Sequence, residues 1–91
     1  MNKIDKPSLI DFPCQFPIKI MGINDPELVP QIIAIVSGKS PEFNPDSDII
    51  VKNSSKGNYL SVTASIMAHS QEQIDSIYVE LNSHKLVKIT L

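Results

Sequence analysis

The sequence predicts an α+β fold in which one antiparallel four-stranded sheet carries two helices on one face. Three observations support this prediction. Residues 16–21 and 60–68 alternate apolar and polar side chains, residues 28–36 and 74–81 repeat apolar side chains at helical spacing, and Ser54-Ser55-Lys56-Gly57-Asn58-Tyr59 has the composition of a tight turn. Periods of two and 3.6 residues are typical of half-buried strands and amphipathic helices. The predicted element order is β-α-β-β-α-β.

The first half of the chain contains a strand over residues 16–21 and a helix. Asn24-Asp25-Pro26-Glu27 has the composition of a helix start, with an Asx cap and a proline at the first helical position. Pro30 conflicts with a helix that begins there, because an interior proline lacks an amide donor and its ring crowds the preceding turn. The helix therefore either begins near Val29 or has a distorted first turn.

The second half begins with a strand over residues 48–53. A short turn, in which Gly57 suits the left-handed conformation, joins it to a third strand at 60–68. Ser70 and Gln73 then have the spacing of a capping box that starts the second helix.

The last predicted strand covers residues 86–91. Alternation predicts that Val87, Ile89 and Leu91 face inward. Right-handed crossovers leave few topologies for this element order, and the common one is the ferredoxin-like plait, with sheet order 4-1-3-2 and two helices on one face. Residues 1–8 are predicted to be a flexible N-terminal tail, and residues 9–91 a single domain.

Composition excludes several classes of protein. The net charge is −2, with lysines and no arginine, whereas proteins that bind duplex DNA neutralise many phosphates with basic side chains. Cys14 is the one cysteine, so we expect no internal disulfide and no cysteine metal cluster. No apolar run is long enough to span a membrane. No residues have the spacing of an acid–base or nucleophile pair. We therefore predict a cytoplasmic protein that is not an enzyme and needs no cofactor or metal, with no nucleic-acid or membrane partner.

The sheet face opposite the helices is the first candidate functional surface. Lysines on three different strands, with serines and threonines between them, form its candidate ligand-binding set: Lys19, Lys52 and Lys88. This face could hold an anionic ligand, remain solvated, or pack against a second copy of the chain. The second copy would contact its exposed apolar side chains, Met21, Met67 and Tyr59.

Two loops are further candidates for ligand binding. The segment Gly22 to Leu28 joins a strand end, a glycine and a helix N-terminus, where backbone amides favour anions; its candidate residues are Gly22, Asn24 and Asp25. The amides of the central hairpin could also form an anion-binding nest; the candidates there are Ser54, Ser55 and Lys56. Ordinary capped turns are the alternative interpretation of both loops.

The hairpin sequence Ser54–Tyr59, followed by Ser61-Val62, resembles the YbeD-like family of small bacterial proteins of uncharacterised function. Met21-Gly22 and Pro26-Glu27-Leu28-Val29 also match, and the resemblance covers almost all of the chain after the tail. It implies a plait similar to the ACT regulatory domain, which binds small effectors, often amino acids, at a dimer interface beside the first strand–helix loop. The segment Gly22 to Leu28 lacks the glycine that amino-acid-binding ACT domains place in this loop.

These observations predict a non-enzymatic regulatory or small-ligand-binding module that forms a homodimer. Its ligand would be a small anionic metabolite or an amino acid. The alternative is an adaptor that binds a protein partner by strand addition, through the exposed hairpin and the edge of the second strand.

Overall fold

The computed structural model describes residues 11–54 and 56–91, so the predicted tail and Ser55 lie outside the described residues. Six elements follow one another along the chain: β1 (Cys14–Ile23), α1 (Leu28–Lys39), β2 (Ile49–Asn53), β3 (Tyr59–Ala68), α2 (Gln71–Ser83) and β4 (Val87–Thr90). The strands pair antiparallel in the order β2-β3-β1-β4. This is the predicted order 4-1-3-2 read from the opposite edge, so the ferredoxin-like plait is confirmed.

The core lies between the sheet and the two helices. β1 and β3 form the central ladder, which runs without interruption from Cys14 opposite Ala68 to Ile23 opposite Tyr59. Alternate residues of both strands are buried, and the helices bury residues three or four positions apart. The large apolar side chains that are fully buried are Ile18, Ile20, Val62, Ile66, Leu28, Ile32, Val36, Ile74, Ile77 and Leu81. Burying each such side chain stabilises the fold by roughly 1.5–3 kcal/mol.

The start of α1 resolves the conflict that Pro30 raises. The helix begins at Leu28, two residues after Pro26, so Pro30 is its third residue. The first four amides of a helix have no intrahelical acceptor, and a proline there forfeits no hydrogen bond. The predicted Asx cap with Pro26 at the first helical position was wrong, because the capping position is Glu27 and no side chain caps the helix. Asp25 instead forms an Asx turn before it, in which Oδ1 accepts from the Glu27 amide at 2.8 Å. Of the two alternatives, the helix that begins near Val29 is therefore the correct one.

The start of α2 has the predicted cap with one difference. The Ser70 hydroxyl oxygen accepts from the Gln73 amide at 3.1 Å. The Gln73 carboxamide oxygen reaches back to the His69 amide at 2.7 Å, one residue before the usual position, and its nitrogen donates to the carbonyl of Lys39 at 3.0 Å. One side chain thereby caps α2 and ties it to the end of α1.

The last strand contains an irregularity that the sequence pattern does not show. Met21 pairs with Ile89, and the next residue of β1, Gly22, pairs with Val87. One step on β1 corresponds to two steps on β4, which makes Lys88 the extra residue of a β-bulge.

The bulge changes which β4 side chains face the helices. Thr90, which was predicted to face outward, donates from Oγ1 to Oδ1 of Asn82 in α2 at 3.0 Å. Ile89 and Leu91 were predicted to face inward, but they are 51% and 73% exposed. That part of the prediction was wrong, because one inserted residue reverses the alternation beyond it. Val87 packs against the core as predicted.

The helices of the described residues are both short, with 12 residues in α1 and 13 in α2. Neither is long and apolar enough to cross a membrane.

Candidate functional site

A cavity of about 340 Å³ lies between the β1–α1 loop and the connection from α2 to β4. It is open to solvent, and its lining combines charged, polar and apolar side chains: Asp25, Glu27, Gln31, His84, Lys85 and Leu86. The predicted segment Gly22 to Leu28 thus contributes one wall. The other wall comes from a part of the chain about sixty residues away in sequence.

Close backbone packing below the cavity holds its two walls together. The Ile23 amide donates to the carbonyl of Leu86 at 2.9 Å. A Cβ atom on Gly22 would lie 2.7 Å from that carbonyl oxygen and 2.6 Å from Cδ1 of Leu28. Gly22, a predicted ligand-binding residue, is therefore buried beneath the cavity, where it allows the two walls to meet.

The charges around the cavity are mixed. Asp25 and Glu27 supply carboxylates from one wall, and Lys85 supplies an ammonium group from the other. The His84 ring accepts the Leu86 amide proton at Nδ1 at 3.2 Å, so the neutral ring carries its own proton on Nε2. Carboxylates at the start of α1 already interact favourably with the helix dipole. This composition suits a ligand that carries both signs of charge better than it suits a simple anion.

Asn24 connects the cavity wall to the central hairpin. Its side-chain Nδ2 donates to the carbonyl of Gly57 at 2.7 Å, and its amide donates to the carbonyl of Asn58 at 3.0 Å. Two loops that were predicted as separate candidate sites are therefore neighbours. Asn24 is occupied in holding them together.

Two amides of the hairpin, those of Ser54 and Gly57, are used in hydrogen bonds within the turn. The Ser54 amide donates to the Tyr59 carbonyl at 3.0 Å, and the Gly57 amide donates to the Ser54 carbonyl at 3.0 Å. The Ser54 hydroxyl oxygen accepts from the Tyr59 amide at 3.2 Å. Gly57 has a φ of 74°, as its predicted left-handed conformation requires. Lys56 is exposed, and Ser55 lies outside the described residues.

The three candidate lysines do not converge on one point. Lys19 lies opposite Thr63 and Lys52 lies opposite Ser61, on strands separated by β3. Two strand spacings and two residues of register place their Cα atoms about 12 Å apart. Lys88 is the bulged residue of the edge strand β4. The lysines are therefore spread across the sheet and do not form one cradle.

Sequence reasoning missed His84, Lys85 and Leu86 as part of this site. The predicted topology contained a usable signal, because β4 runs antiparallel to β1 and so begins beside the end of β1. Among residues 11–54 and 56–91, no group of three or more His, Cys, Asp or Glu side chains is placed to hold a metal ion.

Comparisons with known proteins match nearly the whole chain. The sequence model of a family described as a protein of unknown function (DUF493) matches residues 7–91. A UPF0250 protein of Janthinobacterium sp. is 45% identical over 100% of both chains. A UPF0250 protein of Neisseria gonorrhoeae is 42% identical over 96% of this chain and 94% of that protein. One from Yersinia pestis is 44% identical over 91% of this chain and 92% of that protein.

Proposed function

Because the chain belongs to the DUF493 family of bacterial proteins of unknown function, we propose that it is a non-enzymatic module that binds a small zwitterionic metabolite of the amino-acid class. The cavity between the β1–α1 loop and the α2–β4 connection carries this proposal. Its volume of about 340 Å³ lies at the lower end of the range for small-molecule sites. An amino acid is a ligand of that size with an ammonium and a carboxylate group.

The lining assigns a position to each end of such a ligand. The ammonium group would contact Asp25 and Glu27, and the carboxylate would contact Lys85, with Gln31 available for a hydrogen bond. Exposed ion pairs contribute roughly 0.2–1 kcal/mol each, whereas a dissociation constant of 1 mM corresponds to about 4 kcal/mol. Three such contacts and one hydrogen bond of about 0.5–1.5 kcal/mol reach that value only at the upper end of their ranges, so about 1 mM is the tightest binding that we expect.

A regulatory role follows from where the contacts lie. A ligand that bridges Asp25 and Lys85 would link the β1–α1 loop to the α2–β4 connection. The hydrogen bond from Ile23 to Leu86 already joins these two segments. Asn24 joins the same loop to the hairpin. Ligand binding would therefore restrict three connected loops at one end of the sheet, and a partner protein in the cytoplasm could respond to that change.

The test is a thermal-shift and NMR titration of the full chain with the common amino acids at 10 mM. With a dissociation constant of about 1 mM, binding adds about 1.4 kcal/mol, which raises Tm by about 6–11 °C for a domain of this size. The amide signals of Asp25, Glu27 and Lys85 should move.

Substitutions separate the cavity from the rest of the surface. Glu27→Gln and Lys85→Gln should each weaken binding, whereas Glu72→Gln, an exposed carboxylate in the first turn of α2, should leave it unchanged. The proposal is refuted if no amino acid moves the cavity signals, or if all three variants bind alike.

The sheet edge supports a second candidate, the predicted adaptor. β2 lies at one edge of the sheet, and its Ile50 and Val51 are 58% and 43% exposed. An exposed apolar edge strand is suited to strand addition by a partner. The adaptor is favoured if a partner protein that binds the parent chain also binds the Val79→Lys variant, changed in α2, but does not bind the Val51→Lys variant. The predicted homodimer is checked separately by sedimentation at increasing concentration.

A further inference from the structure

Charge is distributed unevenly between the two sides of the molecule. The chain contains ten aspartates and glutamates, yet none occurs in any of the four strands that the structure describes. Those strands do contain Lys19, Lys52 and Lys88. The open sheet face, which is the face turned away from the helices, is therefore basic although the whole chain is acidic.

The open sheet face also carries a contiguous line of exposed apolar side chains, which we call the apolar stripe: Tyr59, Met21, Ile89 and Leu91. Their exposed fractions are 42%, 37%, 51% and 73%. Ile89 pairs directly with Met21, and Tyr59 pairs with Ile23, two residues along β1 from Met21. Single exposed apolar residues are ordinary, but a contiguous set marks an interaction surface.

Sheet register fixes the size and the borders of the apolar stripe. Tyr59 pairs with Ile23, and the Leu91 amide donates to the Lys19 carbonyl at 2.8 Å. Four residues along β1 and two strand spacings give a length of about 16 Å. Lys19 borders the stripe beside Leu91. Lys52 lies in the same row as Met21, because both residues pair with Ser61.

We propose that the open sheet face binds an acidic amphipathic helix of a partner protein. The apolar side of the helix would cover the apolar stripe, and its carboxylates would contact Lys19 and Lys52. A helix rises 1.5 Å per residue, so about eleven residues cover 16 Å. This surface is distinct from the cavity and does not depend on the function proposed there.

Backbone hydrogen bonding favours a helix over an extended segment at this surface. Beneath the apolar stripe the amides and carbonyls of β1 and β3 are used within the sheet, since residues 20–22 of β1 pair with both β3 and β4 and residues 60–64 of β3 pair with both β1 and β2. An extended chain laid on the face would lose hydration of its own backbone groups without gaining acceptors or donors. A helix has those groups satisfied internally, and its side chains alone form the contact.

Charge also favours an acidic helix over two other candidate occupants of the open sheet face, a second copy of the chain and the chain's own residues 1–10. A second copy that used the same face would bring Lys19 and Lys52 against the same lysines of its partner. The carboxylate at the border of this face, that of Asp48 beside Ser65, already accepts hydrogen bonds from the Asn44 amide and the Ser47 hydroxyl. Residues 1–10 of the chain carry Lys3 and Lys6 and only one acid, Asp5. Neither occupant has the complementary charge that an acidic helix supplies.

The test uses the full chain and two synthetic helical peptides of 18 residues. The first has a leucine face flanked by glutamates, and the second is identical except that lysine replaces each glutamate. We expect the acidic peptide to bind at least tenfold more tightly, to move the amide signals of Met21, Lys52 and Ile89, and to bind several-fold more weakly as the salt concentration rises from 0.05 to 0.5 M.

Variants locate the binding surface. Lys52→Glu should weaken binding of the acidic peptide by roughly three- to tenfold, and Ile89→Ser should weaken both peptides. Lys39→Glu makes the same charge change in α1, on the opposite side of the sheet, and should have little effect. Circular dichroism confirms that each variant is folded before affinities are compared.

Three results would overturn the proposal. The first is equal affinity for the acidic and basic peptides, or no binding of either. The second is binding that moves signals of α1 and α2 while the sheet signals stay fixed. The third is a concentration-dependent dimer whose contacts map to Met21 and Ile89, which would assign the face to a second copy of the chain.

Discussion

Replacing Gly22 with alanine tests whether close packing holds the two walls of the cavity together. The new Cβ would lie 2.7 Å from the Leu86 carbonyl oxygen and 2.6 Å from Cδ1 of Leu28. Ordinary contacts begin at 3.4 Å, so the carbonyl would have to move by about 0.7 Å unless β1 itself shifts. The Leu28 side chain is fully buried in the core, so moving it would disturb the side chains packed around it.

The expected cost of Gly22→Ala has two parts. Overpacking of one methyl group in a filled core costs about 1–3 kcal/mol. Displacing Leu86 also weakens its hydrogen bond with the Ile23 amide, which contributes about 1 kcal/mol. Together they predict a loss of about 2–4 kcal/mol in the free energy of unfolding, which lowers Tm by about 8–32 °C.

Urea unfolding followed by circular dichroism measures this loss. Gly38→Ala is the matched control, because a Cβ on Gly38 meets no atom within 4 Å and the residue lies in α1. Alanine there should be neutral or stabilising by up to about 1 kcal/mol. If Gly22→Ala unfolds within 0.5 kcal/mol of the parent protein, the two walls can separate without cost and the packing argument fails.

Two further substitutions probe single polar groups. Tyr78 donates its hydroxyl proton to the Leu91 carbonyl at 2.9 Å, and burial raises the pKa of Tyr78 above its usual value of 10.0. Its stabilising contribution should therefore be complete below pH 10 and be lost as the pH rises further through the raised pKa. Tyr78→Phe should cost about 1 kcal/mol at pH 8, and this difference should shrink as the pH rises above 10.0 in urea titrations; a constant difference would contradict the assignment. The Ser40 hydroxyl is buried and has no partner among the described residues. Ser40→Ala should thus stabilise the protein by about 1 kcal/mol, whereas a loss of stability in thermal melts would mean that the hydroxyl has a partner.

Much of the fold could be predicted from the sequence because its signals are local. The alternation of β3 from Leu60 to Ala68 fixed both its strand character and its buried face, and the Ser70–Gln73 spacing located the start of α2. Topological rules then left one common arrangement of the six elements. The start of α1 was ambiguous because Pro30 is tolerated or harmful according to its distance from the helix end, which the sequence pattern does not specify.

The candidate site was less predictable because its parts are distant in sequence. The loop Gly22 to Leu28 was identified from its own composition, but His84 and Lys85 reach it only through the antiparallel pairing of β4 with β1. Asn24 and Gly57 had been assigned to separate loops, although a 2.7 Å hydrogen bond joins them. Gly22 was predicted to contact a ligand, and its actual surroundings show a packing role.

The sequence by itself determined the order of strands and helices and the buried faces of α1, α2 and β3. These are properties of residue type and spacing, and they follow from local geometry. Only the tertiary structure decided that a bulge at Lys88 turns Ile89 and Leu91 onto the open sheet face. Register between two strands depends on hydrogen bonds across the sheet, and one extra residue exchanges the faces of every residue beyond it.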